Sequence, residues 1–216
     1  MQRPDYVLFD CDGVLVDSEP VTNRILRDDL AAHGLDLRLE QVMNLFIGGT
    51  MAGVMGEARR MGAALPDDWL DRIYSRMFEV LAQECEVLPG VPTMLDRLDA
   101  ADIGYAVGSN GPMAKMNVTL GRCGLAERFL GRVFSAQECP APKPAPDVYL
   151  KAAARAGKAP ANCVVVEGSP SGARAGKAAG MQCFGYVADT PAARLEGICD
   201  HLFDDMADLP TLLGLG

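Results

Sequence analysis

The chain has 216 residues, 49% of them hydrophobic, which suits one large domain or a core with a modest second lobe. A formal net charge of −9 excludes bulk electrostatic attraction to phosphate backbones or anionic membranes, and no apolar run is long enough to span a bilayer. Seven Cys without a CxxC spacing and only two His, His33 and His201, argue against a disulfide framework, a zinc site and Ser-His-Asp catalysis; reduced thiols and a cytoplasmic location are expected.

The opening residues, Met1 to Asp5, have no signal-peptide pattern and lead straight into Tyr6-Val7-Leu8-Phe9. That apolar run stops abruptly at Asp10 and predicts a fully buried strand. From 17 to 86 no such run occurs. Val21, Ile25, Leu26 and Leu30 keep helical spacing, as do Met51, Val54, Met55 and Ala58, and again Leu70, Ile73, Met77 and Leu81. Val87-Leu88-Pro89-Gly90 then offers a hinge. Beyond it, Val91, Met94, Leu95 and Leu98 predict a helix, and Ile103 to Gly108 predicts a strand ending at Ser109-Asn110. A weaker strand covers Arg132 to Phe134, and a helix carries Val148, Ala152, Ala153 and Ala156. Cys163 to Val166 is a third buried strand, ending at Glu167, and Cys183 to Val187 a weaker one; His201 falls in a short late strand. The hexapeptide ARAGKA, at 154–159 and 173–178, reads as two Ala-rich helices and not as a repeat architecture. Strands alternating with helices predict an α/β fold: a Rossmann-like parallel sheet core of residues 1–16 and 87–216, with an inserted α-helical cap of 17–86. Ligands of such sheets bind at the carboxyl ends of the strands.

The strongest chemical signal is Asp10-Cys11-Asp12-Gly13-Val14-Leu15-Val16-Asp17-Ser18. Two carboxylates stand two residues apart just past a buried strand, and Gly13 permits a sharp turn. One carboxylate can attack phosphorus to give an acyl phosphate. The other can protonate the leaving oxygen and later activate water. Cys11, between them, points to the opposite face and is expected to pack as a small apolar residue.

This string resembles the first motif of the haloacid dehalogenase superfamily, in its phosphatase and phosphomutase branch. Gly108-Ser109-Asn110 resembles the second motif and Lys143-Pro144-Ala145-Pro146-Asp147 the third. Val166-Glu167-Gly168-Ser169-Pro170-Ser171-Gly172, followed by Ala178-Ala179-Gly180-Met181, resembles the fourth. Order and spacing resemble the subgroup with a helical cap between motifs one and two, which holds sugar phosphatases and β-phosphoglucomutase. The resemblance implies that Asp10 is the nucleophile and a magnesium ligand. It implies that Asp12 is the general acid/base, with its backbone carbonyl also on Mg2+. It implies that Ser109 and the amide of Asn110 bind phosphate, that Lys143 holds phosphate and balances Asp10, and that Glu167 binds the metal. Two positions depart from the pattern. Pro142 replaces a Gly before the Lys. Gly168 replaces a second acid and implies weaker metal binding.

The expected function is a magnesium-dependent phosphatase acting on a small, sugar-phosphate-like metabolite through an aspartyl phosphate. The alternatives are a phosphomutase of the β-phosphoglucomutase type and, because of Gly168, a catalytically impaired phosphate-binding protein. A monomer without nucleic-acid or membrane partners is expected. Arg24, Arg59 and Arg60 are the cap's candidates for a second anionic or hydroxyl-rich group of the substrate. No Lys precedes Lys115, so a cap Schiff base of the phosphonoacetaldehyde hydrolase kind is excluded.

Overall fold

The computed structural model describes residues 3–46 and 50–215. Met1 and Gln2 of the opening stretch lie outside them. In chain order the elements are β1 (Tyr6–Phe9), β2 (Val16–Asp17), α1 (Glu19–Ala32), α2 (Leu39–Phe46), α3 (Met51–Arg60), α4 (Trp69–Glu84) and β3 (Glu86–Val87). They continue as α5 (Val91–Ala100), β4 (Gly104–Ser109), α6 (Met113–Arg122), β5 (Val133–Ser135), α7 (Asp147–Arg155) and β6 (Cys163–Glu167). The last are α8 (Pro170–Ala178), β7 (Gln182–Tyr186), β8 (His201–Phe203) and α9 (Leu209–Leu212).

Six strands form one sheet in the order β5-β4-β1-β6-β7-β8, and every pairing in it is parallel. A parallel strand is covered on both faces, which is why β1, β4 and β6 are continuous apolar runs. Val7, Phe9, Val107, Val164 and Val166 belong to the apolar cluster on one face, with Met94 and Leu95 of α5 and Met116 and Leu120 of α6. Leu8, Ala106 and Val165 belong to the other, with Val148 and Tyr149 of α7 and Ala173 and Ala175 of α8. The chain leaves β1 to one side through β4 and β5, then returns to β6 on its other side. The carboxyl ends of β1, β4 and β6 therefore flank the point where strand order reverses, and a crevice opens there.

Helices α1 to α4 lie between β2 and β3, which pair antiparallel as Val16↔Val87 and Asp17↔Glu86. The Leu88 amide donates to Leu15 O at 3.1 Å and extends this two-stranded ribbon. Val21, Ile25, Leu26 and Leu30 form the buried stripe of α1; Trp69, Ile73, Met77 and Leu81 form that of α4. Trp69 Nε1 donates to Asp29 Oδ2 of α1 at 2.6 Å, which satisfies the one polar atom of a buried indole. Leu70, assigned to that stripe from spacing, is only partly buried, because Trp69 takes its place. The first ARAGKA copy is not wholly helical. α7 ends at Arg155, and Gly157 adopts φ 68°, whereas the second copy lies within α8.

Candidate active site

The loop after β1 carries Asp10 and Asp12 to the crevice. The Asp10 amide donates to Val166 O at 3.0 Å, so the nucleophile candidate is fixed to the adjacent β6 by the last rung of the sheet. Gly13 has φ 71°, a conformation costly for any residue with a Cβ, and its amide donates to Val16 O at 2.9 Å to close the turn. Cys11 is fully buried in the core, its Sγ 4.0 Å from Thr119 Oγ1.

Lys143 comes from the loop before α7. Its Nζ donates to Asp10 Oδ1 at 2.9 Å and to Glu167 Oε1 at 2.6 Å, with its side chain only 2% exposed. Burial works against the ammonium, but Asp10 and Glu167 more than offset it and hold the Lys143 pKa above its ordinary value. Asn110 secures this loop: its Oδ1 accepts from the Lys143 amide at 2.9 Å. Ser109 Oγ lies in the crevice and accepts from the Gly111 amide at 3.0 Å, which leaves its own proton for a ligand.

Burial pushes the Asp10 carboxyl up to about 7; the negative charge of Glu167 adds to this and Lys143 opposes it. Burial would raise Asp12 as well, but the Lys115 ammonium and hydrogen bonds from Lys115 and Ser18 hold it below the usual carboxylate range. Lys115 Nζ lies 2.8 Å from Asp12 Oδ1, and the Ser18 hydroxyl donates to the same oxygen. Lys115 and Ser18 escape sequence reading. A single Lys on a helix is ordinarily a solvated side chain. What singles it out is its place six residues after Ser109, on the crevice face of α6. Glu19 is a third group that spacing does not reveal. Its carboxyl packs over the loop, 3.2 Å from where a Cβ on Gly13 would stand, and burial followed by the Asp12 charge pushes it up to about 7.

Glu167 is fully buried and does not line the crevice. Its Oε1 accepts from Lys143 Nζ and from the Tyr149 hydroxyl, both at 2.6 Å. Its Oε2 accepts from the Ser169 amide at 3.2 Å and the Ser169 hydroxyl at 3.1 Å. Both oxygens of Glu167 are thus engaged within the protein, and one of them holds the Lys143 ammonium in place. Gly168 contributes no carboxylate, and among the described residues no group of three or more His, Cys, Asp or Glu is arranged to hold a metal. The remaining donors still fit a hard divalent cation. The crevice is lined by the carboxylates of Asp10, Asp12, Glu19 and Asp189 against the ammonium groups of Lys115 and Lys143. Carboxylate oxygens are the donors that a hard cation such as Mg2+ prefers.

Arg24, Arg59 and Arg60 do not line the crevice. Arg24 pairs with Glu84 at 2.6 Å on the surface. Arg59 donates to Leu65 O and Pro66 O and pairs with Asp67, and Arg60 pairs with Glu57. They are ordinary exposed helix arginines and not substrate contacts: each sits on the solvated side of its helix, where a neighbouring carboxylate or carbonyl satisfies it.

Residues 4–180 match the family model described as haloacid dehalogenase-like hydrolase. The 6-phosphogluconate phosphatase of Escherichia coli (strain K12) is 30% identical over 194 residues, covering 88% of this chain and 85% of the relative. Hexitol phosphatase A of the same organism is 33% identical over 196 residues, covering 88% and 87%. A crystal structure of a HAD family hydrolase from Deinococcus radiodurans R1, with bound phosphate and sodium, superposes with a TM-score of 0.80 at 30% identity, covering 100% of this chain and 98% of that one. Fold, motif order and likeness over nearly the whole length agree, and the chain belongs to the haloacid dehalogenase-like hydrolase family.

Proposed function

We propose that the protein is a magnesium-dependent phosphatase that hydrolyses a small, sugar-phosphate-like metabolite. The observation that carries this reading is the meeting of Asp10, Asp12, Ser109 and Lys143 at one crevice, with Asp10 and Lys143 joined at 2.9 Å. The names of the two Escherichia coli relatives support the substrate class.

In this mechanism Lys143 and the Ser109 hydroxyl hold the phosphate oxygens, with the Asn110 amide assisting. Asp10 attacks phosphorus, forming a P–O bond to its carboxylate as the P–O bond to the substrate breaks. Asp12, ionised in the free protein, takes up a proton as the substrate binds and gives it to the departing alkoxide. Water then attacks the phosphorus and loses a proton to Asp12 as the bond between phosphorus and the Asp10 carboxylate breaks, which frees phosphate and restores Asp10. Asp10 and the Asp12 carbonyl would hold Mg2+, which when bound offsets the repulsion between Asp10 and a dianionic phosphate. Lys115 and Ser18 orient the Asp12 carboxyl in both halves of the cycle. Glu167 acts through Lys143. Residues 17–86 serve as a cap that covers the crevice and excludes water.

Phosphate release from a panel of phosphorylated sugars, with Mg2+ and with a chelator, tests the reading. Asp10→Asn keeps the shape and removes the nucleophile, so its turnover should fall to background. Retained turnover in that variant would mean that another group accepts the phosphoryl.

A further inference from the structure

Beyond the carboxyl ends of the strands the crevice is lined by residues of α1 to α4 and by Asp189 of the segment after β7, and its charges there are one-sided. No Arg or His lines any part of the crevice among the described residues, and residues 47–49 are Ile-Gly-Gly, which bring no charge. The two lysines that do line it are both matched by carboxylates, Lys115 by Asp12 at 2.8 Å and Lys143 by Asp10 at 2.9 Å. The charged groups left facing the organic part of a substrate are Glu19 and Asp189, both acidic. The rest of this wall is neutral: Thr22, Asn23, Thr50 and Tyr74 offer hydroxyl or amide groups, and Leu26 and Phe46 offer apolar surface. Among these is an unfilled bond. Thr22 Oγ1 is the one buried side-chain oxygen or nitrogen among the described residues without a hydrogen-bond partner. Such a group costs free energy as it stands, and a turn of the Thr22 side chain toward a hydroxyl in the crevice would relieve that cost.

We infer that the crevice selects monophosphates whose organic part is an uncharged polyol or neutral sugar, and discriminates against phosphorylated sugar acids and bisphosphates. This rests on the phosphatase reading and narrows it. A second phosphate or a carboxylate entering this part of the crevice would meet Glu19 and Asp189 with no free cation to pair with. Like charges brought together away from bulk water are strongly disfavoured. Hydroxyls meet the reverse situation: the carboxyl groups of Glu19 and Asp189 hydrogen-bond with them, and Asn23 offers its amide beside them. Selection arises as much from what the wall refuses as from what it binds.

The full-length protein in Mg2+ should be assayed for kcat/KM on sorbitol 6-phosphate, 6-phosphogluconate, fructose 1,6-bisphosphate and p-nitrophenyl phosphate. The polyol phosphate is expected to exceed the sugar acid and the bisphosphate by about tenfold or more. Asn23→Arg, which places a cation on the cap wall, should raise the 6-phosphogluconate to sorbitol 6-phosphate ratio by about tenfold. Thr22→Val should raise KM for the polyol phosphate more than it lowers kcat. Equal or greater efficiency on the acid or the bisphosphate overturns the inference, as does hydrolysis of p-nitrophenyl phosphate alone. If none of the four is hydrolysed, the phosphatase reading itself falls, and the inference falls with it.

Discussion

Gly168 stands where the family pattern has a carboxylate, and its surroundings have room for one. A Cβ built there would lie 3.5 Å from Gly13 O and from Val14 Cγ2, ordinary contact distances, and Gly168 lines the crevice. A unit negative charge about 4 Å from a divalent ion contributes several kcal/mol at an effective dielectric constant of about 20, less the cost of its own desolvation. Gly168→Asp should therefore tighten Mg2+ binding by about tenfold to a hundredfold, read directly by titration calorimetry and as a lower Mg2+ midpoint for activity. Identical binding isotherms for the two forms would show that water or Ser169 already fills that position. The same residue-scale logic explains Lys143. Its partners Asp10 and Glu167 descend from neighbouring strands, so two sheet rungs fix its ammonium where a flexible surface lysine would wander.

Helix α8 shows how an element can be shaped around one side chain. Its first turn is capped by Ser169, whose hydroxyl accepts from the Gly172 amide at 3.1 Å. At Gly172 itself a Cβ would fall 1.7 Å from Glu167 Oε1, so the absence of a side chain there is what lets Glu167 lie beneath the helix and reach Lys143. Gly172→Ala should displace Glu167, release Lys143 and lower kcat/KM by about a hundredfold, with a lower melting temperature. Wild-type kinetics in this variant would show that Glu167 has no part in holding Lys143. The sequence was unevenly informative at this scale. β1, β4 and β6 were legible because strands buried on both faces must be apolar throughout, and α1 and α4 because four buried positions repeat along each. Helix α2 went unread: only Val42 and Phe46 are buried in it, too few to show a period. Helix α6 went unread as well, since its inward side includes Lys115 and Thr119 as well as Met116 and Leu120. Residue spacing brought Asp10 and Asp12 together on one loop, but it could not say that Arg24, Arg59 and Arg60 turn outward. That depends on helix rotation, which is set by Ile25 and Leu26 of α1 and by Val54, Met55 and Ala58 of α3 packing inward.

Across the whole molecule, the apolar interior does not stop at the ribbon. One continuous cluster holds Phe9 and Val107 of the sheet together with Leu26, Trp69, Ile73 and Met77 of the helical insertion. Shared burial couples the stabilities of the two parts, because opening the insertion would expose apolar surface of both. Trp69 is the only tryptophan and reports on the insertion alone, whereas far-ultraviolet circular dichroism reports on the entire chain. Thermal unfolding followed by the two signals should give midpoints that agree within about 2 °C. A Trp69 transition well below the dichroism midpoint would mean that the helices melt first and that the shared cluster does little to couple them.

The ribbon itself has a consequence for how such a protein changes over evolutionary time. Asp17 and Glu86 face each other across it, so roughly a third of the chain departs and returns through one doorway. A different helical bundle inserted between those two positions would leave every rung of the six-stranded sheet, with Asp10, Asp12, Ser109, Lys115 and Lys143, in place, provided that it still began with Ser18 beside Asp12. On the proposed function, substrate choice and phosphoryl chemistry would then be inherited on largely separable parts. A lineage can exchange the selector wholesale, by recombination at two adjacent points, while keeping the reaction unchanged.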